Sequence, residues 1–223
     1  MKINHTELST KERLFKAAIR VFAEKGYEAA TVRDICHRAD ANVASVNYHY
    51  GDKEKLYFQV VLEIFKVTRE TRTPHLSPDA PPYDRLKTFI RSTFEEILPS
   101  AYLSKDQEEC MAMGTIFMLE MARPTGALDS IVKDYISPDN DELNNILTAI
   151  LGEDAPPEMI GMSAASVIAQ PLHFFYSMPI IQRLNPDKGE FLTDPGFIDY
   201  ATEHIFQFCV GGLEHFKKNL RGK

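Results

Sequence analysis

The sequence predicts an all-α protein, with an N-terminal three-helix helix-turn-helix domain followed by a larger helical domain. Apolar residues recur at helical spacing through most of the 223 residues, and few segments alternate as a β-strand would. The chain has no Asn-Gly or Asp-Gly pair of the kind that favours a hairpin. With 44% hydrophobic and 26% charged residues, the composition is that of an ordinary globular protein, so a packed helical core is expected.

Four helices are predicted in the first 72 residues from the residues at their ends. Ser9 and Glu12 match a capping box, in which each side chain accepts a hydrogen bond from the other residue's backbone amide. Gly26 is expected to end this first helix in a left-handed conformation. Thr31 is expected to start the second helix, and a break at Asp40–Ala41 precedes a third helix at about residues 43–48. Gly51–Asp52 ends the third helix and precedes a fourth at about 53–72.

Four prolines between residues 73 and 82 exclude a continuous helix there, because proline has no backbone amide to donate. We therefore expect a domain of residues 1–53, linked by helix 4 to a second domain of residues 73–223. Five helices are predicted in the second domain, at about residues 83–98, 106–122, 125–151, 157–184 and 195–219. Pro138 is expected to break or kink the third of these, and Pro171 and Pro179 to interrupt the fourth.

The segment 31–50 meets the physical requirements of a helix-turn-helix. A first helix braces a second through small and aliphatic side chains, and a short turn sets the angle between them. The second helix is short and has small or polar residues at its N-terminus that could reach base edges. The bracing residues are Val32, Ile35 and Ala39, the turn is Asp40-Ala41-Asn42, and the second helix is formed by residues 43–50.

Five short motifs occur in order along residues 9–65, namely Ala17-Ala18 through Phe22, Gly26-Tyr27, Thr31 to Ile35, Val46 to Tyr50, and Asp52 to Leu56. With these motifs, residues 9–65 resemble the N-terminal domain of the TetR family of transcriptional repressors. Two positions depart from the family's pattern. Asp40 stands where the family usually has Gly, and Asp tolerates left-handed geometry better than most residues. Cys36 stands where Ala is common, and we interpret it as a small buried residue.

The resemblance implies a regulator that binds double-stranded operator DNA, with a site in residues 31–53. Thr31 and Lys53 would contact phosphates, and Arg33 a base edge or a phosphate. Residues expected at base edges are Asn42, Ala44 and Ser45, and those expected at the backbone or bases are Asn47, Tyr48 and His49. Val46 and Tyr50 are expected to be core residues instead of contacts. Other interpretations stay open for three of the candidates, with Arg33 as a solvated charge, Tyr48 as a packed ring and His49 as a helix cap.

The second domain is similar to the CecR/YbiH-like branch of the same family, in the runs Ala122 to Thr125 and Gln170 to Tyr176. The resemblance implies a homodimer formed by the last two long helices, at residues 157–184 and 195–219. Gly211-Gly212 would let two backbones approach closely, and burial inside one chain is the alternative for this apolar face. The family also implies a repressor that a small-molecule effector releases from a palindromic operator.

An effector pocket is expected around the methionine-rich helix at 106–122, because methionine adapts to irregular ligands. The candidate residues are Phe94, Met113, Phe117, Met121, His173, Phe174 and Tyr176. The alternatives are that the methionines belong to the core and that His173 is a core histidine with a satisfied hydrogen bond.

Charge and motif content limit the classes of function. Residues 1–53 have a net charge of +2 and the rest of the chain −9, which would orient an approach to DNA without strong nonspecific binding. No phosphate loop, His-Glu-x-x-His, nucleophile elbow or CxxC is present, so we expect no enzyme, cofactor or metal. No apolar stretch predicts a membrane span, and no secretory leader is recognised, so a cytoplasmic location is expected. A helical carrier or interaction module with little specific DNA binding, and redox sensing through Cys110, stay open as alternatives.

Overall fold

The computed structural model of the protein describes residues 8–71, 74–97, 107–184 and 196–221, and it confirms the all-α class. A π-helical turn, Val132–Ile136, joins two of the helices. The helices are α1 (Thr10–Ala29), α2 (Val32–Arg38), α3 (Val43–Tyr50), α4 (Lys53–Thr71), α5 (Pro82–Ile97), α6 (Gln107–Ala122), α7 (Ala127–Ile131), α8 (Ser137–Leu151), α9 (Pro157–Leu184) and α10 (Phe197–Arg221).

The helices form two compact units. The first unit contains α1 to α3, α4 as far as Val67, α6 and α7, and the second contains the end of α4, α5 and α8 to α10. In the first unit, α6 packs along α1 although the two helices are far apart in sequence. The division of the chain into domains of residues 1–53 and 73–223 stays a prediction.

The start of α1 has the expected capping box. The Ser9 side chain accepts from the amide of Glu12, and the Glu12 carboxylate accepts from the amide of Ser9 at 2.8 Å. Helical hydrogen bonding continues to Ala29, three residues beyond the predicted end, but Gly26 has φ 73° and ψ 169° and interrupts the regular helix. This is a conformation that residues with a Cβ rarely adopt, so the chain changes direction at glycine.

Ion pairs and apolar contacts hold α6 in the first unit. Lys16 lies 3.3 Å from Glu109, and Arg20 lies 3.3 Å from Glu108. Ile116 is completely buried. These contacts join the start of α6 to the middle of α1, so α6 and the N-terminal helices form one packed unit.

The second unit is built around α5, which packs against α8, α9 and α10. Its core contains aromatic rings from three helices, and the centroid of the Phe94 ring lies 5.7 Å from that of Phe174 and 6.3 Å from that of Phe197. Leu86, Ile90, Leu143 and Leu147 are completely buried beside them. Large side chains from four helices therefore share one core.

Prolines affect α8 and α9 in different ways. The predicted helix over residues 125–151 is divided into α7, the π-helical turn and α8, and Pro138 lies in the first turn of α8, where its missing amide costs little. The predicted interruption of α9 is wrong, because Pro171 and Pro179 both lie inside one continuous helix. A proline inside a helix costs about 3 kcal/mol. Val167 and Pro171 are buried in the unit, and burial of apolar surface acts against this cost.

Candidate DNA-binding surface

A second capping box sets the start of α2. The Thr31 hydroxyl accepts from the amide of Asp34 at 3.1 Å, and the Asp34 carboxylate accepts from the amide of Thr31 at 3.0 Å. Lys25 lies 2.8 Å from the same carboxylate. The hydrogen bond from Lys25, followed by those from Thr31, lowers the pKa of Asp34 from 3.8 to about 2. The Thr31 donors predicted for a phosphate are thus engaged with Asp34, although the side chain is exposed.

The turn between α2 and α3 contains a left-handed aspartate. Asp40 has φ 48°, which confirms the expectation that the turn keeps its geometry without the family's glycine. The amide of Ala41 donates to the Cys36 carbonyl at 3.0 Å and closes the end of α2. Cys36 is buried, as its interpretation as a small core residue requires.

Asn42 caps α3 instead of presenting its whole side chain to solvent. Its Oδ1 atom accepts from the amide of Ala44 at 2.9 Å, which leaves the side-chain NH2 group for a ligand. Ala44 is exposed and Ser45 is half-buried. The start of α3 therefore offers a small apolar side chain beside polar groups, as a base-contacting surface requires.

The remainder of α3 has one buried face and one exposed face. Val46 and Tyr50 are buried, and the Tyr50 hydroxyl donates to the Lys11 carbonyl at 2.7 Å. Burial is the main cause that raises the pKa of Tyr50 to about 12. On the other face Asn47 is exposed and Tyr48 is 85% exposed, with the half-buried His49 ring 4.9 Å from the Tyr48 ring. An exposed tyrosine of this kind can give its hydroxyl to a phosphate or a base.

Lys53 has a structural role that sequence reasoning missed. Its Nζ atom donates to the carbonyls of Tyr27 at 2.9 Å and Ala30 at 3.1 Å, and lies 4.4 Å from the centre of the Tyr27 ring. The ammonium thus holds the C-terminal end of α1 to the start of α4. An ammonium has three donors, so one is left beyond the two carbonyl bonds.

The candidate DNA-contacting residues all lie in the first unit, from the start of α2 to the start of α4. Six of the nine are exposed and the other three are half-buried. The exposed six are Thr31, Arg33, Asn42, Ala44, Asn47 and Tyr48, and the half-buried three are Ser45, His49 and Lys53.

The residues predicted for an effector pocket are divided between the two units. Met113, Phe117 and Met121 are half-buried on α6, where the Phe117 ring lies 5.6 Å from that of Phe65. The other four lie in the second unit. Phe94 is completely buried and Phe174 packs against the core, whereas His173 and Tyr176 are exposed.

Two cavities are lined by residues other than those predicted for the effector pocket. One, of about 510 Å³, lies in the second unit against Arg69, His75, Asp139 and Glu142. Arg69 lies 2.7 Å from Asp139 there. The other, of about 320 Å³, lies in the first unit between Tyr27, Glu54, Tyr57 and the turn 124–127. No periodicity in the sequence marks these residues, because they come from chain segments that only folding brings together.

The last two long helices present apolar side chains to solvent. On α10 two stripes run along the helix, and one, through Phe197, Ala201, Ile205, Cys209 and Leu213, is buried in the core. The other includes Tyr200 at 62% and Phe208 at 70% exposure, and a Cβ added at Gly211 or Gly212 would meet open space. Ile180 and Leu184 of α9 are also exposed. Within the part of the chain that the structure describes, none of the helices is both long and apolar enough to cross a membrane.

Comparison with known proteins agrees with this architecture. Residues 14–60 match the family of bacterial regulatory proteins named tetR, and residues 82–213 match the C-terminal domain of the HTH-type transcriptional dual regulator CecR. The chain belongs to the TetR family of helix-turn-helix transcriptional regulators, with a CecR-type C-terminal domain. It is therefore a regulator and not an enzyme.

Individual relatives are distant. CecR of Shigella flexneri is 27% identical over 169 residues, which are 74% of each chain. The probable regulator YttP of Bacillus subtilis is 32% identical over 74 residues, which are 32% of this chain and 36% of YttP.

Solved structures share the fold. A tetR-family regulator from Rhodococcus RHA1 is 23% identical with a TM-score of 0.56, covering 76% of this chain and 85% of its own. AibR, solved with isovaleryl coenzyme A and operator DNA, is 19% identical with a TM-score of 0.53, covering 75% and 86%.

Proposed function

We propose that this regulator is a cytoplasmic homodimeric repressor that binds a palindromic operator and leaves it when a small molecule binds. The observation that supports DNA binding most directly is the division of α3 into two faces. Val46 and Tyr50 anchor the helix in the first unit, while Asn47 and Tyr48 project into solvent. A helix held by one face and exposed on the other can enter the major groove of DNA without losing its own packing.

Dimerisation is supported by the exposed apolar stripe on α10. Tyr200, His204, Phe208 and Gly212 recur every four residues, so they lie on one side of the helix. Large apolar groups in one exposed patch are costly in water and usually mark an interface. A second copy of the chain, which presents the same stripe, would bury them in a two-fold interface. Two DNA-binding units about 34–36 Å apart would then meet successive major grooves.

Release by an effector is supported by a hydrogen bond between α4 and α6 in the first unit. The Tyr57 hydroxyl donates to the buried carboxylate of Glu120 at 2.7 Å, and the amide and hydroxyl of Thr125 donate to the same carboxylate. Because this bond joins α4 to α6, a ligand that displaces α6 would also displace α4. Since α4 directly follows α3, the helix that would contact bases would move with it. The effector would shift the equilibrium by its differential affinity for the two arrangements.

The test is selection of DNA sequences by the purified protein, followed by titration of the selected site. We expect an enriched palindrome. If each helix-turn-helix contacts about four phosphates, a dimer contacts about eight. The log–log dependence of affinity on salt concentration then has a slope of about −7. Tight binding that ignores salt would contradict phosphate contact.

The alternative is a helical small-molecule-binding or interaction module with little specific DNA binding. Failure to enrich any sequence, from protein that is folded and dimeric, would favour this module. A reporter under the selected operator would distinguish repression from the dual mode named for CecR.

A further inference from the structure

We propose that the cavity of about 320 Å³ in the first unit binds a small organic cation with an apolar body, such as a protonated arylalkylamine. The cavity lies between the end of α1, the start of α4 and the turn that joins α6 to α7. None of the residues predicted for the effector pocket is among its lining residues. It would be a site separate from that pocket.

Aromatic rings form one wall of the cavity. Tyr27, Tyr57 and Phe58 line it, and the Tyr27 and Tyr57 ring centroids are 4.7 Å apart. The faces of such rings attract cations, and the rings also give an apolar surface to the body of a ligand. Lys53 Nζ lies 4.4 Å from the Tyr27 centroid, so one face of this ring already holds an ammonium of the chain.

Carboxylates surround the aromatic wall. Glu28 and Glu54 line the cavity, and both side chains are exposed to solvent. Directly behind the wall lies Glu120, which is 0% exposed and accepts from Tyr57 and Thr125, both lining residues. The carboxylates of Glu28 and Glu54 therefore face the cavity from its rim, where they oppose an anionic ligand.

The effect of these charges is visible at Tyr27. Burial, followed by the charges of Glu54, Glu28 and Asp52, raises the pKa of its phenol. Only the part of this rise that comes from the carboxylates, and not the larger part that comes from burial, also favours a bound cation. No three His, Cys, Asp or Glu side chains in the described ranges could together hold a metal ion. With one aromatic wall and two carboxylates at the rim, the surroundings suit an organic cation.

The test is calorimetric titration of the whole protein, without DNA, by 2-phenylethylamine and by 2-phenylethanol. The two molecules have the same aromatic body, but only the amine is charged at pH 7. We expect the amine to bind at least about tenfold more tightly than the alcohol, since two carboxylates act on the ammonium. The variant Glu28→Gln/Glu54→Gln should lose about tenfold in amine affinity, because it keeps the shape of the cavity and removes its charges.

The matched control is Glu153→Gln/Glu158→Gln, which removes two exposed carboxylates from the second unit and should leave amine affinity unchanged. Circular dichroism of each variant checks the fold. Absence of saturable amine binding, equal binding of amine and alcohol, or an unchanged affinity in Glu28→Gln/Glu54→Gln would overturn the proposal. Because no DNA is present, these outcomes do not depend on the proposed repressor function.

Discussion

Tyr48 and Tyr50 lie two positions apart on α3 and have opposite surroundings. Tyr50 is buried and donates to the Lys11 carbonyl, whereas the Tyr48 ring is in solvent. The same residue type therefore stabilises the fold at one position and is free to contact a ligand at the other. From the sequence, Tyr50 was expected in the core and Tyr48 at the DNA, with a packed ring as the alternative for Tyr48. That alternative stayed open because a helix of eight residues does not by itself reveal which of its faces is covered.

Substitution separates these two roles. Tyr50→Ala should lower the free energy of unfolding by about 3 kcal/mol, since it removes a buried ring. Tyr48→Ala should change this free energy by less than about 0.5 kcal/mol, as an exposed substitution does, while it weakens operator binding. Urea unfolding and a binding titration measure the two effects. A Tyr48→Ala protein that unfolds as easily as Tyr50→Ala would show that the ring is packed.

Asp34 should make the first unit sensitive to acid. Its pKa is about 2 in the folded chain against an ordinary value of 3.8. Because the folded-state pKa is depressed, the stabilisation is complete well above 3.8 and is lost as pH falls toward about 2. Asp34→Asn should unfold more easily than the parent protein at pH 7, and the difference should shrink at pH 3.

Urea unfolding followed by circular dichroism at the two pH values measures this. The matched control is Asp154→Asn, an exposed change in the second unit, which should leave the pH dependence as it is. If the free energy of unfolding differed between Asp34→Asn and its parent by the same amount at pH 7 and pH 3, this would be inconsistent with the lowered pKa of Asp34.

Among the helices, those with local start patterns are predicted best. Ser9 with Glu12 forms the expected capping box, and Thr31, the expected start of α2, forms another with Asp34. These hydrogen bonds join residues only three positions apart. The opposite case is α9, which continues through Pro171 and Pro179. Its continuity depends on packing with distant helices, which outweighs a local preference.

Removal of the Tyr57 hydroxyl should show how much the contact between α4 and α6 contributes to the free energy of unfolding. Tyr57→Phe removes only the hydroxyl that donates to the buried Glu120 carboxylate. Hydrogen bonds to charged groups contribute about 1.5–3 kcal/mol, so the free energy of unfolding should fall by about 2 kcal/mol. Tyr83→Phe is the control, because its hydroxyl also donates to a carboxylate, that of Glu214, but at an exposed site. If the free energy of unfolding fell no further in Tyr57→Phe than in Tyr83→Phe, burial would not strengthen the hydrogen bond between Tyr57 and Glu120.

For the whole molecule, the two stripes of α10 determine what the C-terminal helix can do. The stripe from Phe197 to Leu213 is covered by the unit's own core, so burial inside one chain applies to that side of the helix. The stripe through Tyr200 and Phe208 is exposed. The sequence showed one broad apolar face, and only the packed unit separates it into a core surface and a candidate interface.

Phe208→Glu should convert the proposed dimer into monomers without unfolding it. The side chain is 70% exposed, so a single chain does not need it, whereas two charges facing each other across an interface would repel. Sedimentation or light scattering measures the mass, and operator affinity should fall with it. Val132→Glu adds the same charge at an exposed position in the first unit and should remain dimeric. If Phe208→Glu remained a dimer, the dimer interface would not include the exposed stripe of α10.

The sequence by itself determined the helical class, the helix-turn-helix and the family. These depend on short-range periodicity, capping pairs and motifs in which neighbouring residues act together. Only the tertiary structure decided that α6 packs with the N-terminal helices, that Lys53 holds the end of α1, and which residues line the two cavities. Each of these depends on contacts between residues far apart in the chain, and local periodicity contains no information about them.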